Sequence, residues 1–235
     1  WRDGLLEPAS PDVRPLSKAS ANRTLTALKA ALNAAVARRH IGAEKAVEWS
    51  LVKPYAGAGK RRDLYLDLGQ RRALLDASEG AVRDLIEAAM LTGARAGELT
   101  SAKRSQFDHR TGALTLSGKT GTRTVPLAPA AVELFKRLSR DKLPSAPLLV
   151  RDDGRPWAHS DWDELVRDAA ARAKLPAGTC LYTLRHSWIT AAILGGMTPL
   201  EVARLVGTSL AMIDKHYGHL STTAARERLS MVDFA

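Results

Sequence analysis

One short stretch, residues 113–127, interrupts a chain whose other apolar residues recur mostly at helical spacing. Residues 113–116 and 122–127 are rich in strand-forming side chains, and a glycine-bracketed segment, residues 117–121, separates them. Two such runs around a short glycine-containing turn predict an antiparallel hairpin. Because helical patterns lie on both sides of it, we expect a mainly α protein with a small antiparallel β-sheet of two or three strands, an α+β fold.

Apolar residues three and four positions apart predict the helices. Residues 20–39 place Leu25, Leu28 and Leu32 on one face, and the exposed faces carry basic residues that include Arg23, Arg38 and Arg39. This pattern predicts an amphipathic basic helix. Further helices are expected over residues 69–78, 81–91, 99 onward, 129–140, 161–174 after the possible N-cap Ser160, and 184–194.

Residues 53–62 mix proline and glycine with three consecutive cations, Lys60, Arg61 and Arg62. This composition predicts a flexible linker that can contact phosphate groups. We therefore expect one domain over residues 1–62 and a second over residues 63–235. The first holds twelve Lys or Arg against five Asp or Glu, which is +7 of the total formal charge of +10. A balance of this sign is typical of a protein that binds a polyanion such as DNA.

Length and composition exclude some classes of protein. A chain of 235 residues can bury a core of one large or two small domains. The single cysteine, Cys180, excludes an intrachain disulfide and fits a reducing cytoplasm. No apolar run has the length of a membrane span, and no signal peptide is visible. The first residue is Trp1 rather than Met, so we expect a fragment of a longer protein.

Tyr217 lies in a basic, imidazole-rich segment that includes His216 and His219. A phenol ionises near pH 10, so a nucleophilic tyrosine needs cations or bases that stabilise its developing negative charge. Arg95, between two glycines, and Arg185, in the run 182–187, can supply such cations. A guanidinium pairs with two phosphate oxygens at once, so this set suggests a clamp around a phosphodiester.

Each of these residues also has a plain structural interpretation. Arg95 could offset the dipole at a helix end, Arg185 could form a structural ion pair, and Tyr217 could be a packed aromatic residue. Lys119, at the expected hairpin tip, could serve solubility, and Lys103, Arg104 and Arg123 are its rivals in sequence. The i, i+3 spacing of His216 and His219 suits a zinc pair, but further ligands are lacking, and we expect no metal.

Taken in order, residues 91–99, 182–187 and 207–220 resemble the tyrosine recombinases, the phage-integrase-type site-specific recombinases. The resemblance covers roughly residues 64–232 and depends on the ordered set. It implies that residues 1–62 are the last part of a helical core-binding domain. It also implies a catalytic domain that acts on double-stranded DNA at attachment-type sites, without metal or other cofactor, to integrate or excise a mobile element.

The resemblance also assigns roles. Tyr217 would attack a backbone phosphate to give a 3′-phosphotyrosine, Arg95 and Arg185 would stabilise the transition state, and Lys119 would protonate the leaving 5′ oxygen. Glu98 would orient Arg95. Members of the family cut DNA as tetramers, and residues 221–234 could dock on a neighbouring subunit or pack on their own domain. A monomer is possible without DNA.

The chain departs from the commonest family pattern at two positions. Tyr182 stands where many members have histidine, and Thr208 stands where many have histidine or tryptophan. Both residues can hydrogen-bond to phosphate, but neither titrates near neutral pH. We expect His186 to take over part of that role, and His216 and His219 to position Tyr217 or contact phosphate.

We expect a bacterial or phage-encoded recombinase that is cytoplasmic and associated with the nucleoid. Three other functions compete with this hypothesis. A tyrosine topoisomerase would share the catalytic residues and relax supercoils as a monomer. A non-catalytic DNA-binding regulator would explain the charge. A metal-dependent phosphoesterase or nuclease would use His216 and His219. Chelator sensitivity, a trapped covalent complex and product topology distinguish them.

Overall fold

Two compact units, Trp1–Asp63 and Leu64–Ala235, make up the chain in the computed structural model. The structure describes residues 1–7, 10, 13, 15–58, 64–118, 121–229 and 233, with the backbone alone for 221–229. The predicted contacts at Lys60, Arg61, Arg62 and Lys119 therefore lie outside the described residues. The interpretation of the first unit as part of a core-binding domain stays a prediction.

The first unit is built on helix α1, Lys18–Ala37, which begins where the Ser17 hydroxyl accepts a hydrogen bond from the Ser20 backbone N–H at 3.2 Å. This is the basic helix expected over residues 20–39. Two short 3-10 helices, Asp3–Leu6 and Ala43–Lys45, and helix α2, Ala46–Ser50, complete the unit. The Asn22 side chain exchanges two hydrogen bonds with the Tyr55 backbone, at 2.9 and 2.8 Å, and so fixes the segment after α2 onto α1.

The second unit contains eight α-helices and a short 3-10 helix, Arg104–Gln106, among its described residues. The α-helices are α3 Leu68–Asp76, α4 Gly80–Thr92, α5 Ala96–Ser101, α6 Pro129–Ser139, α7 Asp161–Arg172, α8 Leu181–Leu194, α9 Pro199–Val206 and α10 Leu210–Leu229. The expected helices are all present, but α5 and α8 each begin three residues early and α9 was not predicted. Ser160 occupies the predicted N-cap position of α7, but it has a left-handed backbone (φ 71°) and its side chain makes no capping hydrogen bond.

The predicted hairpin forms two strands of a three-stranded antiparallel sheet. Strands β1 Phe107–Asp108, β2 Ala113–Gly118 and β3 Gly121–Pro126 lie in the order β1-β2-β3. The register pairs Leu114 with Val125 and Leu116 with Arg123. Since side chains alternate between the two faces of a strand, Arg123 lies on the same core-facing side of β3 as the buried Val125.

Helix α4 is central to the larger of two hydrophobic cores. Its residues Leu85 and Ile86 are fully buried together with Leu99 of α5 and Leu184 of α8. A smaller core joins α8, α9 and α10 through Ile189, Val202, Val206, Ile213 and the ring of Tyr217. Burying these side chains stabilises the fold by about 1.5–3 kcal/mol each. No helix in the described part of the chain is long and apolar enough to span a bilayer.

Candidate active site

Arg95 lies between two helices. Gly93 ends α4 with a left-handed backbone (φ 62°), and Arg95 then serves as the N-cap residue of α5. Its guanidinium donates to the Glu98 carboxylate at 2.8 Å and to the Gly207 carbonyl at 2.8 Å. The side chain remains 37% exposed. Arg95 is therefore held in one orientation while part of it stays open to a ligand.

Arg185 lies on the first turns of α8 and is 5% exposed. Its Nη1 donates to the carbonyl of Gly93 at 2.9 Å, and Gly93 lies two residues before Arg95 in the sequence. Burial, followed by the positive charge of Arg95, lowers the pKa of Arg185 to about 10. The group is still charged at neutral pH, so two guanidinium groups lie close together without a full complement of negative charge. Such a site attracts an anion.

Tyr217 is 8% exposed on α10, and its ring packs in the smaller core. Its hydroxyl hydrogen-bonds to Nδ1 of His186, the residue next to Arg185 on α8. Helix α10 is 20 residues long and continues through Gly218. The small core thus fixes the phenol against the imidazole beside the buried arginine.

Tyr182, which replaces the usual family histidine, contacts the same imidazole. Its ring meets that of His186 edge-on, with centroids 4.6 Å apart, and Tyr182 is 51% exposed. Thr208 follows Gly207 in the turn between α9 and α10, where its backbone N–H donates to the Ala203 carbonyl at 3.0 Å. The two departures from the family pattern therefore lie in the same region as His186 and Arg95.

The remaining imidazoles and basic residues differ in their surroundings. The His216 ring lies with its centroid 6.5 Å from that of Tyr217, while His219 is exposed one turn further along α10. In the first unit Arg23, Arg38 and Arg39 are all accessible to solvent, as a phosphate contact requires. Within the described residues, no three His, Cys, Asp or Glu side chains are placed to hold a metal ion.

Glu98 is the carboxylate at the centre of the basic cluster, and it is 3% exposed. Burial alone would raise the pKa of Glu98, but hydrogen bonds from Arg123 and from the Arg95 backbone lower it to about 2. Both oxygens accept from Arg123, at 2.9 and 2.8 Å. Glu98 also hydrogen-bonds to Arg95, and its predicted role of orienting Arg95 stays a prediction. The pairing of Glu98 with Arg123 was not predicted. The only signal for the Arg123–Glu98 pair in the sequence was a basic residue at a core-facing position of β3.

Solved structures of known proteins share this architecture. The Tn1549 transposon integrase (residues 82–397), in complex with circular intermediate DNA, aligns with a TM-score of 0.75 over 93% of this chain and 81% of that one, at 18% identity. A λ integrase (75–356) dimer bound to a COC′ core site aligns with a TM-score of 0.67 over 83% of this chain and 74% of that one, at 20% identity. The fold is therefore that of the integrase-type proteins.

The sequence comparison gives the family. The model of the phage integrase family matches residues 65–224. The chain belongs to this family. The tyrosine recombinase XerD of Mycobacterium tuberculosis (strain CDC 1551 / Oshkosh) is 29% identical over 155 residues, which are 62% of this chain and 50% of XerD. The chain thus spans about half the length of this relative.

Proposed function

We propose that this protein is a site-specific DNA recombinase that cleaves and rejoins double-stranded DNA through a 3′-phosphotyrosine intermediate. The observation that carries the proposal is the hydrogen bond between the Tyr217 hydroxyl and His186, next to the buried Arg185. A potential nucleophile, a potential base and an anion-attracting cation are adjacent. This is the arrangement that covalent catalysis on a phosphodiester requires.

The reaction would begin with attack of the Tyr217 oxygen on a backbone phosphorus. A bond from the phenolic oxygen to phosphorus forms, the bond from phosphorus to the 5′ oxygen breaks, and the free 5′ hydroxyl leaves. His186 Nδ1, which hydrogen-bonds to the phenolic oxygen, would accept its proton, and Lys119, outside the described residues, would give a proton to the 5′ oxygen. Reversal by another 5′ hydroxyl rejoins the strand without metal or nucleotide.

Arg95 and Arg185 would stabilise the pentacoordinate transition state. Negative charge grows on its equatorial oxygens, and preorganised donors meet that charge without reorganising. The Gly207 and Gly93 carbonyls each hold one guanidinium in place. Removal of one such donor from an enzyme typically slows the chemical step by about 10²–10³-fold.

The partners follow from charge and from the solved relatives. The excess of +7 over residues 1–62 suits a basic surface that contacts DNA, through Arg23, Arg38, Arg39 and the linker cations Lys60, Arg61 and Arg62. A λ integrase tetramer bound to a Holliday junction shares the fold with a TM-score of 0.66 at 20% identity, over 82% of this chain and 59% of that one. We propose a homo-tetramer on attachment-type DNA that integrates or excises a mobile element in the cytoplasm.

The first test uses a duplex with a nick beside the scissile phosphate, taken from the genomic junctions of the element, with protein in EDTA. Cleavage then releases a short strand, and the covalent complex accumulates on a denaturing gel. We expect a protein–DNA band with the wild type and none with Tyr217→Phe, because the variant lacks the attacking oxygen. DNA binding should be unchanged, since the substitution removes one buried hydroxyl.

Tyr65→Phe is the matched control, because it removes a phenol that is 52% exposed outside the cluster. It should form the covalent band as the wild type does. A band that persists in Tyr217→Phe would exclude Tyr217 as the nucleophile. Binding without any band in the wild type would favour a DNA-binding regulator, and relaxation of supercoils without exchange between sites would favour a topoisomerase.

A further inference from the structure

Of the two arginines that bind Glu98, Arg123 is the less exposed, with 14% of its side chain accessible to solvent against 37% for Arg95. It lies on strand β3, three residues before the end of that strand and 25 residues after Glu98 in the sequence. Its two Nη groups meet both carboxylate oxygens, a bidentate geometry that is the strongest form of this contact. Arg95, by contrast, gives Glu98 one Nη group.

The same guanidinium also binds the end of helix α9. Its Nε donates to the Leu205 carbonyl at 2.8 Å, while Arg95 donates to the Gly207 carbonyl two residues later. The last carbonyls of a helix have no partner inside the helix and need donors from elsewhere. Arg123 and Arg95 supply these donors for the turn that leads into α10, the helix of Tyr217.

The charges of the cluster give a reason for the pairing of Glu98 with two arginines, Arg95 and Arg123. Arg95, Arg123 and Arg185 are three cations, and Glu98 is their common anion. The cluster therefore carries a net positive charge of two. A phosphodiester brings one negative charge, and more develops on its oxygens in the transition state. Without Arg123, Glu98 would be left with Arg95 as its counter-ion, and Arg95 would attract phosphate less strongly.

We propose that Arg123 is a positioning residue that neutralises Glu98, so that the charge of Arg95 is available to the scissile phosphate, and that fixes the α9–α10 turn before Tyr217. This inference rests on the proposed function. Arg123 itself would not contact the reacting atoms, because all three of its guanidinium nitrogens already donate to Glu98 or Leu205 and its side chain is only 14% exposed. It acts through Arg95.

The test compares Arg123→Gln with the double variant Arg123→Gln/Glu98→Gln in single-turnover cleavage of the nicked duplex at saturating DNA. We expect Arg123→Gln to slow cleavage by about 10–100-fold, the range for loss of hydrogen bonds to a charged group. The affinity for DNA should change less, because many phosphate contacts contribute to it. The double variant should recover much of the rate, since it removes the uncompensated carboxylate as well.

A purely structural role for Arg123 predicts the opposite result. If Arg123 only braced the turn, removing the Glu98 charge would not restore cleavage, so a double variant as slow as Arg123→Gln would overturn the proposal. Wild-type cleavage in Arg123→Gln would also overturn it. Should Arg123→Gln not fold, Arg123→Lys keeps the charge but cannot span both carboxylate oxygens and the Leu205 carbonyl at once. Because lysine still neutralises Glu98, its cleavage rate should lie less than about 10-fold below wild type, and a loss as large as that expected for Arg123→Gln would overturn the proposal.

A second readout does not depend on cleavage. Binding of inorganic phosphate can be followed by NMR of the arginine Nε–H groups in wild type and variants. We expect phosphate to bind about 10-fold more weakly to Arg123→Gln and to regain affinity in the double variant. Equal affinities in wild type and Arg123→Gln would overturn the inference even if the wild type forms no covalent complex. The absence of a covalent complex with the wild type would count against the proposed function alone.

Discussion

At the scale of single residues, Glu98 makes the stability of the fold depend on pH. Its pKa is about 2 in the folded chain, against 4.5 for an ordinary glutamate. Because the folded pKa is lower, the unfolded chain takes up the proton first as the pH falls. The stabilisation is therefore complete above about pH 4.5 and is lost progressively as the pH falls towards 2.

We expect the Glu98 ion pairs to lose about 2 kcal/mol of stabilisation between pH 7 and about pH 3. Glu98→Gln should lack this component, so that its urea-unfolding free energy falls less than that of the wild type over the same range. Glu133→Gln is the control, because Glu133 is 72% exposed in its pair with Lys136. It should follow the wild-type curve. Parallel curves for Glu98→Gln and the wild type would contradict the argument.

The residues of the candidate site differed in how far sequence could place them. Arg95, Arg185 and Tyr217 were recognisable from their motifs, and the structure places His186 between Tyr217 and Tyr182. The roles of these residues stay predictions. The link between Arg123 and Glu98 could not be read from the sequence, because it depends on a tertiary contact between a strand and a helix N-terminus.

At the scale of secondary-structure elements, the turn between α9 and α10 is the most constrained segment near the site. Gly207 has a left-handed backbone (φ 66°), and a Cβ there would lie 2.5 Å from Arg123 Nη1. Gly154 has a similar backbone (φ 79°), but a Cβ there would meet nothing within 4 Å. Substitutions at these two glycines therefore distinguish the free-energy cost of backbone strain from the cost of displacing Arg123.

We expect Gly154→Ala to cost about 1 kcal/mol for the left-handed backbone alone. Gly207→Ala should cost about 1–3 kcal/mol more, because the methyl group must displace the arginine, and it should also slow cleavage. Urea unfolding and single-turnover cleavage measure the two effects. Equal losses of stability and rate in both variants would show that the Arg123 contact does not matter.

Periodicity predicted most of the elements, and the exceptions have physical causes. Helix α9 is only eight residues long, which is too short for a clear periodic pattern. Tyr182 and Thr183 favour strands by propensity, yet they lie in the first turn of α8. Gly218 has a low helix propensity, yet α10 continues through it. Burial of Ile213 and Tyr217 offsets the helix cost of glycine, about 1 kcal/mol.

At the scale of the whole molecule, the charge is uneven, with +7 of the +10 on residues 1–62. For a DNA-binding protein, each phosphate contact releases counterions, and the logarithm of the binding constant falls with the logarithm of salt concentration. The division into two units places this excess in the smaller one.

We expect alanine at Lys60, Arg61 and Arg62 together to weaken DNA binding and to make its salt dependence shallower, by a slope of about 0.9 for each phosphate that these cations neutralise. Fluorescence anisotropy over a series of salt concentrations measures the slope. Lys136→Ala is the control, because Lys136 is already paired with Glu133 at 2.8 Å on the surface of α6. An unchanged slope in the triple variant would exclude the linker from phosphate binding.

The hydrogen bond from Arg95 to the Gly207 carbonyl has a consequence for fidelity. The acceptor belongs to the turn that leads into the helix of Tyr217, so a shift of that helix would also release one donor of Arg95. Under the proposed function, the nucleophile and the cation would therefore change state together. A chain with its tyrosine withdrawn would also have a misaligned arginine, and this coupling would guard against strand breaks by an incompletely assembled enzyme.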